Sequence, residues 1–174
     1  MYAALSSGNH YNLVDTRLYL PSEWVLDKPR CKAAGVPPKE MRHRTKQELA
    51  LEMIINHPKT GIRFDWVGGD GLYGHDNKFR KSIAAIGKLY MLDIHSRDTV
   101  CTSLPTISIP QKTGIRGRKR SVPRADNPPV QVGELIKQVA EEQWKTYTVR
   151  NGTKGPLVAG VYVQQIYTWD GHLR

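Results

Sequence analysis

One short segment of the chain combines a candidate strand, a carboxylate and several glycines: FDWVGGDGLYGHDNKFR. Its apolar side chains predict a buried strand, formed by Phe64, Trp66 and Val67, that ends at Asp70. A helix capped by Asp76 is expected to follow. In open α/β sheets, groups that bind metals and ligands lie just beyond the carboxyl ends of the strands. Asp70 is therefore the first candidate for a metal-binding or catalytic carboxylate.

The glycines around this carboxylate allow tight backbone turns and the close approach of a large partner. They are Gly68, Gly69, Gly71 and Gly74. A single acid in a strand-to-helix turn is most often a surface residue. The assignment of Asp70 therefore depends on the rest of the chain.

The chain carries a large excess of positive charge. It has 26 Lys and Arg against 16 Asp and Glu, which gives a formal net charge of +10 over 174 residues. This balance favours a polyanionic partner, with nucleic acid first and an acidic membrane surface second. Basic residues without any acid are concentrated in KTGIRGRKRSVPR at 112–124, which we call the basic run. Charge runs are often solvated loops, so the run alone does not define a binding site.

Composition excludes several classes of protein. No apolar run reaches the length of a membrane-spanning helix. The first residues, MYAALSSGNHYN, lack the basic and apolar regions of a signal peptide. Cys31 and Cys101 have no CxxC or CxxH neighbour, which argues against a zinc site and against a disulfide framework. We expect a cytoplasmic protein with no membrane partner.

The elements that must position Asp70 are predicted in the order β-β-α-β-α-β. A hairpin is expected around Ser6-Ser7-Gly8-Asn9, and residues 21–44 are expected to be irregular. A capping box formed by Thr45 and Glu48 starts the first helix, and Pro58 ends it. The predicted elements are strands at 2–5 and 11–19, a helix at 45–57, a strand at 64–67, a helix at 77–86 and a strand at 89–94.

The second half of the chain has a different composition. Its prolines and the basic run predict an exposed, extended connection between residues 101 and 131. An amphipathic helix is predicted over Gln131–Trp144, with its apolar stripe in a core. A strand is predicted over Leu157–Trp169, with Asp170-Gly171 as a turn and its hairpin partner expected after Arg174.

Two blocks of sequence carry a family resemblance. The first runs from Asp15 to Pro37 and contains DTRLYLPSEW and AGVP, followed by Thr45-Lys46. The second is VGGDGLYG at 67–74, which continues through FR, LY and DI at 79–80, 89–90 and 93–94. Together they resemble the middle of a DDE-type transposase of bacterial insertion sequences, in the group with a ribonuclease H-like core. The resemblance covers essentially the whole chain and is weaker between residues 102 and 131.

The resemblance implies cleavage and transfer of DNA strands at transposon ends, with Mg²⁺ or Mn²⁺ held by three carboxylates. In two-metal chemistry one ion activates the attacking oxygen and the other stabilises the leaving oxygen, and hard oxygen ligands suit these ions. The second carboxylate of the family maps to Asp70. The first belongs to a strand before residue 1, and the glutamate belongs to a helix after residue 174. The resemblance thus implies an inactive fragment, truncated at both ends, that binds metal weakly or not at all.

Other polar residues near the glycine-rich turn at 68–74, which we call the elbow, are weaker candidates. Asp93 follows the next strand and is a conceivable neighbour of Asp70, whereas Asp65 should point to the opposite face of its strand. Asp15 lies in a block that resembles a structural part of the family. His75 follows the elbow. Two roles for this residue are compatible with the sequence: a contact to phosphate, and an ordinary position in the turn. We expect solvated or locally capped roles for these acids.

By the same resemblance, the basic run belongs to a β-rich insertion that helps the family grip DNA. Phosphate contacts of this kind raise affinity without reading sequence. The implied DNA-binding residues are Lys112, Arg116, Arg118, Lys119, Arg120 and Arg124. Trp144, Tyr147 and Trp169 are candidates for stacking on a displaced base, although packing in a small core is favoured for Trp144.

The expected fold is a partial ribonuclease H-like mixed α/β sheet with flanking helices over residues 1–100. A basic linker and the start of a β-rich insertion, with a helix and strands, follow over 101–174. The resemblance places the missing first strand at the centre of the sheet, between the hairpin and the strand that carries Asp70. Because its loss exposes two unpaired edges, we expect the isolated chain to fold poorly or to self-associate.

Three functions remain open at this point. The first is a transposase, here a fragment located in the bacterial cytoplasm at the nucleoid. The second is a non-catalytic, basic DNA-binding protein derived from a transposase. The third is a metal-dependent nuclease that assembles its site from Asp70, Asp93 and residues of a partner.

Overall fold

The computed structural model describes residues 1–111, 118 and 121–168. The chain forms two compact units, Met1–Ile94 and His95–Arg174, which we call unit 1 and unit 2. Each unit combines short strands with short helices, so the architecture is mixed α/β. This agrees with the expected class, and every sheet in the described residues is two-stranded.

Unit 1 begins with the predicted hairpin. Strands β1 (Tyr2–Ser7) and β2 (His10–Thr16) pair antiparallel through a two-residue turn. Gly8, the first turn residue, has φ +57°, as a type II′ turn requires, and this is why glycine fits there. The second strand ends at Thr16 rather than at Tyr19.

The segment from 21 to 44 was expected to be irregular, and this expectation was wrong. It contains helices α1 (Ser22–Leu26) and α2 (Lys28–Ala33), followed by a 3₁₀ turn at Pro38–Glu40. The carboxylate of Asp27 caps α2 by accepting a hydrogen bond from the amide of Arg30 at 3.0 Å. Prolines start such helices, since the first helical residues need no amide donor.

Helix α3 (Lys46–Asn56) confirms the predicted capping box. The hydroxyl of Thr45 accepts from the Glu48 amide at 3.2 Å, and the Glu48 carboxylate accepts from the Thr45 amide at 2.8 Å. These bonds from Thr45 hold the pKa of Glu48 below its ordinary value. Pro58 follows the helix within a 3₁₀ turn, as expected.

The elbow joins two parallel strands. Strand β3 (Trp66–Gly69) leads through α4 (Gly71–Gly74) and α5 (Asn77–Ala85) to β4 (Leu89–Leu92). The strands pair in register, with Gly69 opposite Leu92. The predicted Asp76 cap of α5 is confirmed, since its carboxylate accepts from the Phe79 amide at 3.0 Å.

The core of unit 1 lies on one face of β3 and β4. Ala50 of α3 and Phe79 and Ile83 of α5 form its centre. Val67, Tyr90 and Leu92 of the strands pack against them. The other face is apolar and open, with Trp66, Leu89 and Met91 exposed by 58%, 56% and 73%. The expectation of a fully buried strand was therefore wrong at Trp66.

Unit 2 contains two short ladders where an extended connection was expected. Strand β5 (Thr99–Val100) pairs antiparallel with β8 (Val130–Gln131), and β6 (Ile107–Ser108) pairs antiparallel with β7 (Arg124–Ala125). The connection is therefore folded back on itself at these two points.

The remaining elements of unit 2 differ from the prediction. Helix α6 spans only Val132–Lys137 and buries no residue. It therefore lacks the packing of an apolar face against a core, which stabilises most helices in proteins. Strands β9 (Lys145–Gly152) and β10 (Gly155–Val161) form an antiparallel ribbon. The hairpin partner of the tail strand therefore precedes it in the chain. The predicted turn at 170–171 lies outside the described residues.

None of the helices in the described residues is long and apolar enough to cross a membrane.

Candidate active site and basic loop

Two carboxylates lie together at the carboxyl edge of β3 and β4. Asp70 directly follows β3, and Asp93 directly follows β4. The two strands are parallel and in register up to Gly69 and Leu92, so the acids occupy equivalent positions. The Asp93 amide donates to the Gly69 carbonyl at 3.0 Å, which continues the ladder to the edge. We call Asp70 and Asp93 the carboxylate edge.

Asp70 is held by the helix that it caps. Its Oδ1 accepts a hydrogen bond from the Leu72 amide at 3.0 Å. Its backbone carbonyl accepts from the amides of Tyr73 and Gly74 at 3.0 and 3.1 Å. The residue is exposed. One oxygen therefore orients the carboxylate, which lies at the surface.

Tyr73 lies behind the carboxylate edge. Its ring packs on Phe79 with centroids 5.2 Å apart, and its hydroxyl lies 3.8 Å from the Met1 sulfur. Burial raises the pKa of Tyr73, and the negative charge of Asp70 raises it further. Tyr73 is therefore a neutral phenol at physiological pH.

The turn after Asp70 depends on close backbone packing. A Cβ atom at Gly74 would lie 1.7 Å from the Asp93 carbonyl oxygen, so only glycine fits between α4 and the end of β4. The buried guanidinium of Arg80 donates to the Gly74 carbonyl and, at 3.4 Å, to Asn77 Oδ1. This contact ties α5 to the same turn.

The other acidic candidates lie elsewhere. Asp15 forms an ion pair with Arg17, and its Oδ2 lies 3.3 Å from His57 Nε2, which is a structural role inside unit 1. Asp65 precedes β3, at the opposite end of the strand from Asp70. His75 is the exposed C-cap residue of α4.

The carboxylate edge supplies the type of ligand that a divalent cation prefers, but too few ligands for a tight site. Carboxylate oxygens are the ligands that Mg²⁺ and Mn²⁺ prefer. A tight site needs several converging ligands, and the described residues contain no group of three or more His, Cys, Asp or Glu that could hold an ion. These residues alone therefore supply only part of a metal site.

The family profile described as DDE superfamily endonuclease matches residues 2–156. The chain belongs to this family. The match confirms the resemblance to DDE-type transposases and spans both units. No curated protein and no solved structure gives a significant match. Enzymes of the DDE superfamily generally depend on divalent metal ions, and membership implies a DNA substrate.

In this DDE family member, the basic run lies between the paired strands β6 and β7 except for its last residue, Arg124. Arg124 belongs to β7, opposite Ser108, and both it and Arg118 are exposed. The other four predicted phosphate contacts, Lys112, Arg116, Lys119 and Arg120, lie outside the described residues. We call residues 109–123, between the two strands, the basic loop.

A hydrogen-bonded clamp closes the base of the basic loop. Asp126 Oδ1 accepts from the Thr106 amide at 3.0 Å, and the Asp126 amide donates to the Thr106 carbonyl at 3.0 Å. The Asn127 side-chain amide donates to Ser103 Oγ at 2.6 Å. This clamp and the β6–β7 pair fix the two ends of the loop. Sequence reasoning missed it, although Asp-Asn before two prolines is a common turn signal.

Hydrogen bonds from Thr106 hold the pKa of Asp126 below its ordinary value of 3.8. A lowered pKa means that the clamp stabilises the fold above pH 3.8 and that this contribution is lost as pH falls through the lower, folded-state pKa. We expect the difference in free energy of unfolding between wild type and Asp126→Ala to be largest near neutral pH and to vanish in strong acid. Urea unfolding across this pH range measures it. A pH-independent difference would contradict the assignment.

The aromatic candidates for base stacking are divided. Trp144 packs against Tyr162, with ring centroids 6.0 Å apart, but it is 37% exposed, so it does not lie in a buried core as favoured. Tyr147 lies on β9 and is 53% exposed, so it remains a candidate for stacking. Trp169 lies outside the described residues.

Proposed function

We propose that the chain takes part in metal-dependent cleavage and joining of DNA strands, as a DDE transposase acting at the ends of an insertion sequence. The carboxylate edge carries this proposal, because Asp70 and Asp93 follow adjacent parallel strands in register. Membership of the DDE superfamily endonuclease family supports the reaction class. The finer expectation of a ribonuclease H-like core belongs to the same proposal.

Within this site, Asp70 is the metal-ligating carboxylate and Asp93 is the second candidate. The bond from the Leu72 amide orients one oxygen of Asp70, and the residue is exposed. When bound, a divalent ion supplies charge stabilisation for the attacking and leaving oxygens of a phosphodiester. The buried Arg80 donates to the Gly74 carbonyl and so holds the turn that carries Asp70.

The remaining ligands come from outside the described residues. This follows from the lack of any group of three candidate ligands among those residues. We propose that the chain alone binds metal weakly and does not cleave DNA, and that a further polypeptide segment completes the site. Mg²⁺ keeps its own water shell unless several ligands converge, which accounts for weak binding.

A second candidate function is DNA binding without catalysis. The incomplete metal site favours it, and so do the exposed Arg118 and Arg124 in a chain of net charge +10. In that case Asp70 would serve only as the cap of α4.

Paramagnetic Mn²⁺ distinguishes the two candidates. We expect added Mn²⁺ to broaden the amide signals of residues 69–74 and 93 selectively, because the ion binds at the carboxylate edge. Asp70→Asn should remove the broadening, since the amide still accepts the Leu72 bond but carries no charge. Asp65→Asn is the matched control and should leave the effect unchanged.

Two outcomes would contradict this proposal. Equal broadening in wild type and Asp70→Asn would show that the ion binds elsewhere. Robust Mg²⁺-dependent nicking of plasmid DNA by residues 1–174, abolished by Asp70→Asn, would show that these residues already contain a complete site.

A further inference from the structure

Two lysines lie beside the turn that carries the carboxylate edge. Lys46 is the first residue of α3 and Lys78 is the second residue of α5, and both are exposed. Neither has a role in the proposed metal site. A DNA strand that reaches the carboxylate edge meets two negative charges there, so nearby cations decide how well the strand binds.

Two successive hydrogen bonds connect the start of α3 to Asp70. The side-chain amide of Gln47 donates to the Leu72 carbonyl at 3.2 Å. The Leu72 amide in turn donates to Asp70 Oδ1 at 3.0 Å. Because Gln47 directly follows Lys46, these bonds fix the backbone of Lys46 close to α4.

Helix α5 places Lys78 next to the first turn of α3. Only two residues separate α5 from α4, and α5 packs against α3 in the core. The bonds from Thr45 have the largest effect on the pKa of Glu48, and the positive charge of Lys78 lowers that pKa further. Such an electrostatic effect requires that Lys78 lies near Glu48. The two lysines therefore lie beside α4, one on each of its neighbouring helices.

The acids of these first turns are already engaged in helix caps. Glu48 Oε2 accepts from the Thr45 amide at 2.8 Å and from the Thr45 hydroxyl at 3.1 Å. Asp76 Oδ1 accepts from the Phe79 amide at 3.0 Å. In the described part of the chain, neither lysine forms an ion pair with these or other acids. Both ammonium groups are therefore available to an external anion.

An aromatic ring orients the side chain of Lys46. Its Nζ lies 5.5 Å from the centroid of the Tyr19 ring. A cation–π contact at an exposed site is weak, and it uses none of the hydrogen-bond donors of the ammonium. Lys46 can therefore keep this contact while it binds a phosphate oxygen.

We propose that Lys46 and Lys78 bind backbone phosphates of the DNA strand that reaches the carboxylate edge. A lysine binds phosphate as a point charge and does not read the bases. Both residues belong to unit 1, so these contacts are additional to those of the basic loop. The proposal rests on the proposed function, because it places the substrate strand at Asp70.

Acetylation of lysine side chains in the full chain, followed by mass spectrometry, tests these contacts. The probe is a short DNA duplex, and EDTA removes divalent metal ions. We expect the duplex to slow the acetylation of Lys46 and Lys78 roughly threefold or more, because a phosphate-bound ammonium is protected. This measurement needs no variant of the chain.

Lys59 is the matched control for this measurement. It is exposed and lies beyond the other end of α3, a helix of 11 residues that is therefore about 16 Å long. Its acetylation should be unchanged by the duplex. Inorganic phosphate at the same concentration of phosphate groups should protect none of the three lysines, because binding needs several linked phosphates.

Salt dependence measures the same contacts in variants. The starting chain carries alanine in place of Arg116, Arg118, Lys119 and Arg120. Two phosphate contacts contribute about −1.8 to the slope of log affinity against log salt. Adding Lys46→Gln and Lys78→Gln should make the remaining slope shallower by about this amount. Adding Lys39→Gln and Lys59→Gln instead removes the same charge and should change the slope by less than about 0.5.

The position of the strand is tested through the charge of the carboxylate edge. Asp70→Asn removes a negative charge beside the bound strand, so it should increase the protection of Lys46 and Lys78 in EDTA. Asp65→Asn removes the same charge at the opposite end of β3 and should leave the protection unchanged.

Three results would overturn the proposal. They are unchanged acetylation of both lysines in the presence of the duplex, equal effects of the two lysine pairs on the salt slope, and equal protection in Asp70→Asn and Asp65→Asn. Failure of the proposed function is detected separately, since Mn²⁺ binding is measured without DNA and lysine protection is measured without metal. Protected lysines in a chain that does not bind Mn²⁺ at Asp70 would contradict the proposed function and support the DNA contacts.

Discussion

Gly74→Ala should destabilise unit 1 by about 3 kcal/mol, at the upper end of what overpacking costs. The added Cβ would lie 1.7 Å from the Asp93 carbonyl oxygen and 2.8 Å from its carbonyl carbon. These are backbone atoms of the residue that directly follows β4, so they cannot rotate away as a side chain would. Helix α4 must move, and the Arg80 contact to the Gly74 carbonyl breaks with it. Urea unfolding followed by circular dichroism measures the loss.

Gly68→Ala is the matched control for this prediction. At that position the nearest atom to a new Cβ is the Met91 carbonyl oxygen at 3.9 Å, which is an ordinary contact. We expect a change within about 0.5 kcal/mol, as for most surface substitutions. Equal stability of Gly74→Ala and wild type would show that α4 does not pack against the end of β4. The Mn²⁺ effect at the carboxylate edge should be lost in Gly74→Ala, because Asp70 moves with the helix that it caps.

DNA affinity should fall steeply with salt, by roughly 250- to 1,000-fold between about 50 and about 200 mM, if the basic run neutralises four to six phosphates. The physical reason is the release of condensed counterions, which gives a slope near −4 to −5 in a plot of log affinity against log salt. Replacing four basic residues should flatten the slope to between about 0 and −2. The residues are Arg116, Arg118, Lys119 and Arg120. Fluorescence anisotropy with duplexes of unrelated sequence measures affinity and its lack of specificity.

A second variant with the same charge controls for this experiment. It replaces four exposed lysines of unit 1, so the net charge falls by four in both variants, from +10 to +6. The residues are Lys28, Lys32, Lys39 and Lys59. We expect this variant to keep most of the wild-type slope, because its charges lie outside the basic loop. Equal flattening in both variants would show that overall charge, and not the loop, drives binding.

Signals confined to a few neighbouring residues gave the most accurate predictions. The capping box of Thr45 and Glu48, the cap at Asp76 and the hairpin turn at Gly8 each depend on contacts within four residues. The residues that interact in each case are close together in the sequence, so the local sequence alone predicts the contact. Asp70 was placed correctly after a strand for the same reason, since the glycines and apolar residues around it define the elbow.

Features that depend on distant partners were predicted less well. Helix α6 was expected to run to Trp144 but ends at Lys137, because no core covers its apolar residues. Strand β9 was not predicted, since its pairing with β10 decides its conformation. Trp66 was expected to be buried, yet nothing in the described residues covers its face of the sheet. The hydrophobic pattern of a segment shows which side chains can be buried. It does not show whether another element of the structure covers them.

The positions of Asp70 and Asp93 relative to each other also could not be predicted without the structure. Sequence placed Asp93 on the next strand but could not establish that β3 and β4 are parallel, adjacent and in register. Only that register brings the two acids to equivalent positions. The clamp between Asp126 and Thr106 is a similar case, because it joins residues that are 20 positions apart.

The ribbon of β9 and β10 has a consequence for the dynamics of unit 2. All eight residues of β9 are exposed, and β10 is exposed except at Ala159. An isolated two-stranded ribbon is marginally stable in water, so its amide protons should exchange through local opening, without cooperative unfolding of the unit. A ribbon that opens at low free energy can change its twist to follow a curved surface. Binding to such a surface would order the ribbon and cost conformational entropy. This cost lowers the affinity of the ribbon for the surface and shortens the lifetime of the complex that they form.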